Sequence, residues 1–402
     1  LYAALAGFSV PTQRACVMAT ALLLPIILGR QGRPLHGLGL ALLVVLLIDP
    51  RTITSAGFVL SFSAVGAILW GLSARNKGEG YLSRLLRLQW IILLLMMPLT
   101  LLFFNQTSLL AFPVNLVAIP WFSLLLVPVA LVGVLLILIS PGLGNDFITL
   151  AEPLFSHTLE ALHTVSMWNI GVFEMPDRPA WVMAAACLGV AWLAAPFRLP
   201  ARYLGMALVM PMFVWRPDTP TTGSFEVTML DVGQGLAVVV KTENHLLLYD
   251  TGPAFRSGFD AGRAIVVPYL KGRGYSAIDR LMISHTALDH AGGLDAVLEQ
   301  LTVDEVIGKH IPCSTGRRWR WDGVEFNVLH PDDSAAWSSN DGSCVLSISN
   351  ASGRLLLTGD LEHPGERALL DRYGDSMKSS VVQVGHHGSR TSSSADFVAS
   401  IS

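Results

Sequence analysis

The sequence predicts a multi-helix α transmembrane bundle followed by an α+β sandwich, in which helices lie outside two β-sheets. The first observation is composition: charged residues make up 14% of the chain, against about 25% in ordinary soluble domains. The second is where the deficit lies, because residues 1–223 hold 12 Lys and Arg and 8 Asp and Glu, whereas residues 224–402 hold 15 and 22. The third is a change at the same point from long apolar runs to short β-rich ones. We therefore predict a transmembrane domain over residues 1–223 and a water-exposed domain over residues 224–402.

Seven segments of the first part are apolar and uncharged, and the longer ones can cross a bilayer, which takes a helix of about 20 residues. They lie near residues 15–29, 36–48, 54–72, 88–104, 121–139, 180–197 and 203–215. Residues 147–168 differ, because apolar side chains recur there at helical spacing among Glu152, His157, Glu160 and His163. This pattern predicts an amphipathic helix, whose polar face explains the two histidines better than a metal site does.

The segment 111–120 carries breaks in an otherwise apolar run. Pro113 and Pro120 interrupt helical hydrogen bonding, and Asn115 is polar at membrane depth. Irregular backbone within a bilayer is tolerated only where protein or a water-filled cavity covers it, so one interpretation is a pore or re-entrant element. The other is a proline kink in a membrane helix. Both interpretations stay open.

Short strands predict the framework of the second part. We predict strands at 225–231, 236–241, 246–250, 281–284, 304–308, 324–329, 343–349, 354–359 and 380–384, and helices near 259–272, 292–301 and 363–373. Paired strands followed by strands that alternate with helices give an α+β sandwich. Only Cys313 and Cys344 lie in this part, and neither belongs to a Cys-x-x-Cys motif, so we expect no disulfide framework. Its excess of acidic residues weighs mildly against tight DNA binding, because phosphate contacts need Lys and Arg.

Imidazole and carboxylate side chains follow four predicted strands. They are Asp250, His285, Asp289, His290, Asp360, His386 and His387. Each has an ordinary explanation by itself, as a loop cap or turn former. Together they predict one site, because convergent imidazoles and carboxylates are what borderline-soft cations need.

In this order the motifs resemble the metallo-β-lactamase superfamily, and in particular its branch in ComEC-type DNA internalisation competence proteins. The stretches of the second part that carry the resemblance are 230–235 (Leu-Asp-Val-Gly-Gln-Gly), 250–253 (Asp-Thr-Gly-Pro), 284–293, 340–346 (Asn-Asp-Gly-Ser-Cys-Val-Leu), 358–360 (Thr-Gly-Asp) and 385–389 (Gly-His-His-Gly-Ser). In the first part they are residues 5–11 with Arg14, residues 55–62 and residues 115–120. The resemblance covers nearly the whole chain. The chain begins at Leu1 and stops soon after residue 389, so we expect both ends of a longer protein to be missing.

The resemblance implies a fold, a function and partners. The second part would be a metallo-β-lactamase-like αββα sandwich, incomplete at its C-terminus. Such proteins form the inner-membrane channel through which one DNA strand enters during natural transformation, and their hydrolase domain is suspected of degrading the other strand. The implied location is the bacterial inner (cytoplasmic) membrane, as a multi-pass protein. The implied partners are single-stranded DNA, inner-membrane lipid and other components of the DNA-uptake machinery.

The superfamily pattern also implies a role for each site residue. The implied metal ligands are His285 and one of His386 and His387 for a first ion, Asp289 and His290 for a second, and Asp360 bridging both. Asp289 and Asp250 are the implied catalytic residues, the latter as a support that orients the loop. The cofactor would be one or two divalent ions, Zn or Mn, which lower the pKa of a bound water to about 7 for attack on phosphorus.

Two positions depart from the family pattern. The superfamily carries His or Asp two residues after the first histidine, where this chain has Ala287, and Leu236 stands where many relatives have Asp. Because an alanine side chain cannot bind metal, enzymatic activity stays uncertain. Two other functions therefore remain open. One is a membrane-anchored metallohydrolase of another phosphodiester or ester, and the other is a channel whose hydrolase-like domain is inactive.

Overall fold

The computed structural model describes residues 2–5, 7–29, 33–73, 80–168, 171–195, 200–332 and 336–402. The chain divides into two compact units, Leu1–Arg216 and Pro217–Ser402. The sequence predicted the division after residue 223. The two units are described separately.

The first unit is helical. Its helices are α1 (Tyr2–Leu5), α2 (Val10–Ile27), α3 (Pro34–Ile48), α4 (Ala56–Ser73), α5 (Tyr81–Phe104), α6 (Ala111–Trp121), α7 (Val127–Ile139), α8 (Pro141–Ser166), α9 (Ala180–Ala194) and α10 (Leu204–Val214). Two short strands, β1 (Gln106–Ser108) and β2 (Val172–Glu174), pair antiparallel. Over their described residues, the seven segments predicted from apolar runs lie mostly in helices, which confirms the multi-helix bundle; residues 196–197 of the predicted segment 180–197 lie outside the described residues.

Within the described ranges, four helical stretches are long and apolar enough to cross a membrane. They are Val10–Ile27, Ala56–Ser73, Tyr81–Phe104 and Ala111–Ile139. The helices α3, α9 and α10 are apolar but shorter. Length and composition thus support a membrane protein.

The proline-containing segment forms a regular helix rather than irregular backbone. Pro113 lies in the first turn of α6, where a missing N–H costs least. Pro120 is followed by a π-helical turn at Phe122–Leu126, which joins α6 to α7. A proline with a π-helical turn produces a kink. Residues 111–120 thus have the helical backbone that the proline-kink interpretation expects.

The amphipathic helix predicted at 147–168 is α8, which begins six residues earlier, at Pro141. Nδ1 of His157 lies 2.6 Å from the carbonyl oxygen of Pro153 in the preceding turn. This contact ties His157 to its own helix backbone, as a polar helix face requires.

The second unit contains two five-stranded sheets. The first sheet consists of β3 (Glu226–Met229), β4 (Val238–Lys241), β5 (Leu246–Tyr249), β6 (Ala277–Met282) and β7 (Thr302–Ile307), in that spatial order. The second consists of β8 (Arg318–Trp321), β9 (Val324–His330), β10 (Val345–Asn350), β11 (Gly353–Leu357) and β12 (Val381–Val382), in the order β12-β11-β10-β9-β8. The helices are α11 (Val267–Gly272), α12 (Leu288–Ala291), α13 (Leu294–Gln300), α14 (His363–Tyr373) and α15 (Ala395–Ile401).

Three apolar layers hold these elements together. The central layer lies between the two sheets and includes Val238, Tyr249, Phe326 and Leu346. A second layer packs α11 and α13 onto the outer face of the first sheet, and a third packs α14 and α15 onto the second sheet. The order helix, sheet, sheet, helix confirms the predicted αββα sandwich.

The structure contains elements that the sequence did not predict. Strand β8 and helix α15 are additional, and Cys313 and Cys344 form a disulfide. The expectation of no disulfide was therefore wrong for this pair. The bond links the segment before β8 to the start of β10.

Candidate metal centre

Four of the predicted site residues converge at the ends of their strands. Ligand atoms of Asp289, His290, Asp360 and His387 all lie within 4.8 Å of one another. Asp289 and His290 belong to α12, just beyond β6, while Asp360 follows β11 and His387 follows β12. The two sheets thus bring together residues almost 100 positions apart in the sequence.

His290 lies at the centre of this group. Its Nε2 atom is 3.0 Å from Oδ1 of Asp360 and 3.3 Å from Nε2 of His387. On the other side of the ring, Nδ1 is 2.8 Å from Oδ2 of Asp250. A carboxylate can only accept a hydrogen bond, and each ring nitrogen contacts one, so both nitrogens can donate when no cation is bound. If a cation replaced the proton on Nε2, Asp250 would keep Nδ1 as the donor and leave the lone pair of Nε2 for the metal.

Asp250 is a buried hydrogen-bond acceptor for the whole loop. Its Oδ1 accepts the backbone N–H of Ser284 at 2.6 Å, and its Oδ2 accepts the hydroxyl of Ser284 at 2.7 Å. Asp250 adopts a positive φ of 60° at full burial. A non-glycine residue held in this region at a buried site is a feature of sites where geometry serves function. Asp250 therefore supports the cluster without belonging to it.

Glycines let the neighbouring loops pack directly against α12. A Cβ at Gly235 would lie 2.4 Å from the carbonyl oxygen of Asp289, and Gly235 has a φ of +151°. A Cβ at Gly293 would lie 2.4 Å from the carbonyl oxygen of Thr251. The Gly-Gln-Gly and Gly-Gly motifs thus place the backbone of the metal loop where its side chains can meet.

Asp360 is held by the loop that precedes β10. The hydroxyl of Ser343 accepts the backbone N–H of Asp360 at 3.1 Å. Two residues earlier, Oδ1 of Asp341 accepts the backbone N–H of Gly365 at 3.0 Å. The Asn-Asp-Gly-Ser stretch thereby fixes both Asp360 and the first turn of α14.

The two neighbouring histidines point in different directions. His386 and His387 both have positive φ, at 46° and 52°. Nε2 of His387 lies 3.4 Å from Oδ2 of Asp289 and 3.7 Å from Oδ2 of Asp360, whereas Nδ1 of His386 lies 2.9 Å from Oε1 of Glu362. The sequence left open which histidine is a ligand and assigned it to the ion of His285. The structure places His387 beside Asp289 and His290, and His386 outside the group.

His285 lies next to the cluster. Its ring centroid is 4.4 Å from that of His290, and its Nδ1 is 3.1 Å from the hydroxyl of Ser284. Its Nε2 is buried and has no hydrogen-bond partner within the described part of the chain. Ala287 adds no donor beside it, and its carbonyl instead accepts the backbone N–H of His290 at the start of α12. The first ion of a two-metal site would therefore find few ligands here.

The residues present fit one divalent cation. The Nε2 atoms of His290 and His387 lie 3.3 Å apart beside the carboxylates of Asp289 and Asp360, and two imidazoles with two carboxylates are a donor set for a divalent cation. Oδ1 of Asp360 is buried and has no partner with hydrogen-bond geometry among the described residues, despite its 3.0 Å contact with His290. The side chains of Asp289 and His387 are 33% and 27% exposed, so the group is open to solvent on their side.

The electrostatics of the group agree with this fit. Burial alone would lower the pKa of His290, but the contacts with Asp250 and Asp360 outweigh it and raise that pKa to about 10. Burial and the charge of His290 lower the pKa of His285, which keeps its ring neutral. Burial by itself would raise the pKa of Asp360, yet the neighbouring imidazoles lower it. Without a cation, a proton thus sits among the carboxylates at His290.

Comparison with known proteins identifies both units. Residues 1–200 match the family described as Competence protein, and residues 230–401 match the Metallo-beta-lactamase superfamily. The chain belongs to the ComEC-type competence proteins. Its membrane unit and its αββα unit correspond to the two matched families in the same order.

Curated relatives align with this competence protein over almost all of its length. It is 35% identical over 412 residues to Competence protein ComA of Neisseria gonorrhoeae, covering 100% of this chain and 57% of the relative. It is 31% identical to Recombination protein 2 of Haemophilus influenzae, covering 98% and 55%. It is 26% identical to ComE operon protein 3 of Bacillus subtilis, covering 99% and 56%. The chain thus spans a little over half the length of the curated relatives it matches.

Solved metallo-β-lactamases match part of the competence protein. One is BJP-1, a subclass B3 enzyme of Bradyrhizobium japonicum, at 13% identity over 46% of this chain and 90% of that chain, with a TM-score of 0.31. Another is a Cronobacter sakazakii protein with a HARLDQ motif, at 18% identity over 37% and 62%, with a TM-score of 0.26. Since both scores lie below 0.5, the fold assignment rests on the family match and the sheet order.

Sequence reasoning missed two supporting residues of the site. Ser284 joins Asp250 to both His285 and His290, and Ser343 positions the backbone of Asp360. Both serines lie inside motifs that carried the family resemblance, beside residues with an assigned role. Their position next to ligand residues was the available signal.

Proposed function

We propose that this chain is part of an inner-membrane channel for single-stranded DNA uptake in natural transformation. We also propose that its C-terminal unit is a metal-dependent nuclease-like domain that degrades the strand that is not transported. The observation that carries this proposal is the convergence of Asp289, His290, Asp360 and His387 in a chain that also has an apolar helical bundle. The names of the relatives, which refer to competence and recombination, support the link to DNA.

The helical unit favours a channel over a simple anchor. A membrane-anchored hydrolase of another phosphodiester or ester needs one membrane helix, whereas this chain has four helical stretches long enough to span a bilayer among its described residues. The bundle therefore has a task beyond attachment. Passage of one DNA strand is the task that the family implies.

The metal site supports hydrolysis of a phosphodiester. His290, His387, Asp289 and Asp360 would hold one Zn or Mn ion, because two imidazoles and two carboxylates suit either cation. A bound divalent cation polarises a phosphoryl oxygen and makes water more acidic. Asp289 lies at the open side, where its carboxylate can accept the proton that water loses when it attacks phosphorus. Asp250 holds the ring of His290 in the tautomer that leaves Nε2 free.

One observation favours a second function, a channel whose hydrolase-like domain is inactive. Ala287 stands where a first ion would need a ligand, and Nε2 of His285 is left with no partner among the residues described. Two cations together stabilise the negative charge on both the attacking and the leaving oxygen, and a single cation stabilises only part of that charge. The domain would then serve as a scaffold for the channel.

The test compares metal content, DNA cleavage and DNA uptake for the full-length protein and its His290→Ala variant. If the proposal is right, the parent binds about one Zn or Mn per chain and cleaves labelled single-stranded DNA, and His290→Ala loses both. Cells that lack their own competence channel should regain uptake of labelled DNA when they make the parent. Uptake without metal or cleavage would favour the scaffold. Cleavage without any restored uptake would favour the anchored hydrolase.

A further inference from the structure

The outer face of the second sheet carries a basic groove far from the metal centre. Along β9 and β10, alternate side chains point into the core between the sheets, so their neighbours point outward. Helices α14 and α15 cover one half of this outer face. In the other half, the outward-pointing side chains surround a groove of about 450 Å³. Its outward lining residues are Arg318, Arg320, Glu325, Asn327, Ser347, Ser349 and Arg354.

The strand register brings three arginines together across four strands. Arg320 is opposite Glu325, Glu325 is opposite Ser349, and Ser349 is opposite Arg354. Arg318 forms the next row with Asn327. Three spacings of about 4.8 Å give a surface about 14 Å wide from β8 to β11.

The groove is positively charged, whereas the unit that carries it has a net negative charge. Residues 224–402 hold 15 Lys and Arg against 22 Asp and Glu. The groove nevertheless gathers three arginines around one acid, Glu325. An excess of positive charge confined to one concave surface of an acidic domain is a binding surface for an anion.

The arginines keep donors available for a ligand. Arg320 has no hydrogen bond or ion pair to any residue that the structure describes, and it is exposed. Arg318 is exposed and uses Nε for a 3.2 Å contact with Oδ1 of Asn327, which leaves its two terminal nitrogens. Arg354 is half-buried: one terminal nitrogen donates to the carbonyl oxygen of Ser376 and its Nε is buried, so its second terminal nitrogen is the donor left for a ligand. Forked guanidinium donors of this kind match phosphate oxygens.

The aromatic side chains of the same strands face the other way. Trp319 stacks on Phe326 at 5.1 Å on the side of the core, and the guanidinium of Arg280 lies 4.2 Å above Trp319. Trp319 and Phe326 are among the residues around the groove, but because their rings lie on the core side they offer no face for a nucleic-acid base to stack on. Recognition would go through phosphates and would not depend on base sequence.

We infer that this groove binds the phosphate backbone of a single nucleic-acid strand, an inference that rests on the proposed function and gives the domain a second contact with its substrate. Arg354 is the second residue of β11 and Asp360 follows the end of that strand, so six residues at up to about 3.3 Å each put the groove at most about 20 Å from the metal centre. The groove holds the strand at a distance from the cluster. Removing its arginines leaves the ligands of the metal centre untouched.

The test measures binding of a fluorescein-labelled 20-nucleotide oligo-dT to the full-length protein in detergent, with EDTA present so that no cleavage occurs. The double variant Arg318→Ala/Arg320→Ala removes two phosphate contacts, so the slope of log K against log salt becomes shallower by about 1.4. Affinity at 0.15 M salt falls about tenfold or more. The matched control is Arg367→Ala, which removes an exposed arginine from α14 outside the groove and leaves binding unchanged.

A second variant separates charge from folding. Arg318→Lys/Arg320→Lys keeps both charges and should bind oligo-dT nearly as well as the parent, with equal affinity for an oligonucleotide of mixed sequence. Equal affinity of parent and alanine variant would overturn the inference. The inference would also be overturned if the alanine variant kept its affinity for oligo-dT but lost binding to vesicles of anionic lipid, because the groove would then be a lipid site.

The inference and the proposed function fail in different ways. A parallel assay measures cleavage of labelled DNA in magnesium-free buffer with added Zn or Mn. This assay tests the metal centre alone. If the parent cleaves DNA and the alanine variant binds oligo-dT as tightly as the parent does, the inference about the groove fails and the proposed metal centre is supported. If no form cleaves DNA but the alanine variant loses binding, the groove stands and the nuclease fails.

Discussion

Nδ1 of His290 lies 2.8 Å from Oδ2 of Asp250, and both side chains are completely buried. This contact sets the orientation of the only fully buried imidazole in the cluster of four donors. The backbone N–H and the hydroxyl of Ser284 donate to the same carboxylate. Asp250 therefore acts on the metal centre through His290 and Ser284 rather than as a ligand.

Replacing Asp250 with Asn should weaken metal binding about 10–100-fold, because second-sphere partners of metal ligands have effects of this size. The amide nitrogen of Asn cannot accept the hydrogen bonds that His290 and Ser284 donate, so one donor loses its partner. A competition titration of the purified protein against a Zn chelator measures the change. Asp371→Asn, at an exposed position on α14, is the matched control and should bind as the parent does. Unchanged affinity of Asp250→Asn would remove Asp250 from the site.

The two adjacent histidines give a sharp comparison. His387→Ala should lose most of the bound Zn or Mn, because Nε2 of His387 lies within 3.7 Å of both carboxylates of the cluster. His386→Ala should retain it, because Nδ1 of His386 contacts Glu362 instead, at 2.9 Å. Metal analysis of the two purified variants decides the point. Greater metal loss in His386→Ala than in His387→Ala would reverse the assignment.

The hairpin of α9 and α10 is held by direct backbone contact. A Cβ at Gly205 would lie 2.7 Å from the carbonyl oxygen of Gly189, and a Cβ at Gly189 would lie 2.6 Å from that of Gly205. Small residues allow such close approach of membrane helices. Gly205→Ala should therefore lower stability by about 1–3 kcal/mol through overpacking. Thermal unfolding in detergent measures this.

A glycine on α3 provides the control for Gly205. A Cβ at Gly39 meets no atom within 4 Å. Gly39→Ala should be neutral or stabilising by up to about 1 kcal/mol, since alanine favours helix over glycine. Equal melting temperatures for the two variants would show that the α9–α10 contact contributes nothing.

The fold was predictable where composition and periodicity are strong. Long apolar runs need a bilayer or a buried position, and the described residues of all seven lie mostly in helices. Strand β8 was missed because its sequence, Arg-Trp-Arg-Trp, is half cationic and becomes a strand only through pairing with β9. The disulfide was missed because Cys313 and Cys344 are 31 residues apart and their spacing matches no local cysteine motif that would predict the pair.

The site was predictable in its members but not in its grouping. Strand-end positions predicted that Asp289, His290 and Asp360 would meet, and they do. Which histidine of the pair joins them depends on two consecutive backbone angles in the left-handed region, which sequence alone does not specify. Sequence had also assigned that histidine to the ion of His285, which lies outside the group.

The carboxylate of Asp322 ties one sheet to the other. It accepts hydrogen bonds from Oγ1 of Thr242 and the backbone N–H of Asn244, both at 2.7 Å, and from Nδ2 of Asn244 at 2.9 Å. The slight burial of this group acts to raise its pKa, but the hydrogen bonds from Asn244 and Thr242 outweigh it and lower the pKa from 3.8 to about 2. The turn before β9 is thereby fixed to the turn before β5.

Stability from Asp322 should depend on pH in one direction. A pKa that is lower in the folded state than in the unfolded state gives stability that is complete above pH 3.8 and is lost as pH falls toward 2. Asp322→Asn should cost about 1 kcal/mol near pH 7. The difference from the parent should shrink below pH 4. Thermal unfolding at several pH values measures it, and a difference that grows on acidification would contradict the assignment.

Ala287 is the position at which one substitution can separate a recoverable metal site from a scaffold. It precedes α12 with φ of −64° and ψ of 146°, the backbone geometry of a helix N-cap. An aspartate there would add a carboxylate two residues after His285, whose buried Nε2 has no partner in the described chain. It could also cap α12 without touching any metal, which would stabilise the protein by about 1 kcal/mol. Metal binding and capping therefore have to be told apart.

Ala287→Asn makes that distinction, because asparagine caps a helix as well as aspartate does but adds no negative charge. We expect Ala287→Asp in the full-length protein to bind more Zn or Mn than the parent and to cleave single-stranded DNA faster, while Ala287→Asn gains only thermal stability. A second ligand group beside His285 raises the occupancy of the first ion, the one that His285 would bind. With both ions present, two cations hold the attacking and the leaving oxygen. Metal stoichiometry and cleavage are measured side by side for all three proteins. If Ala287→Asp gains neither metal nor rate over Ala287→Asn, one carboxylate does not restore the first ion. The second proposed function, in which this domain is an inactive scaffold, is then the one supported.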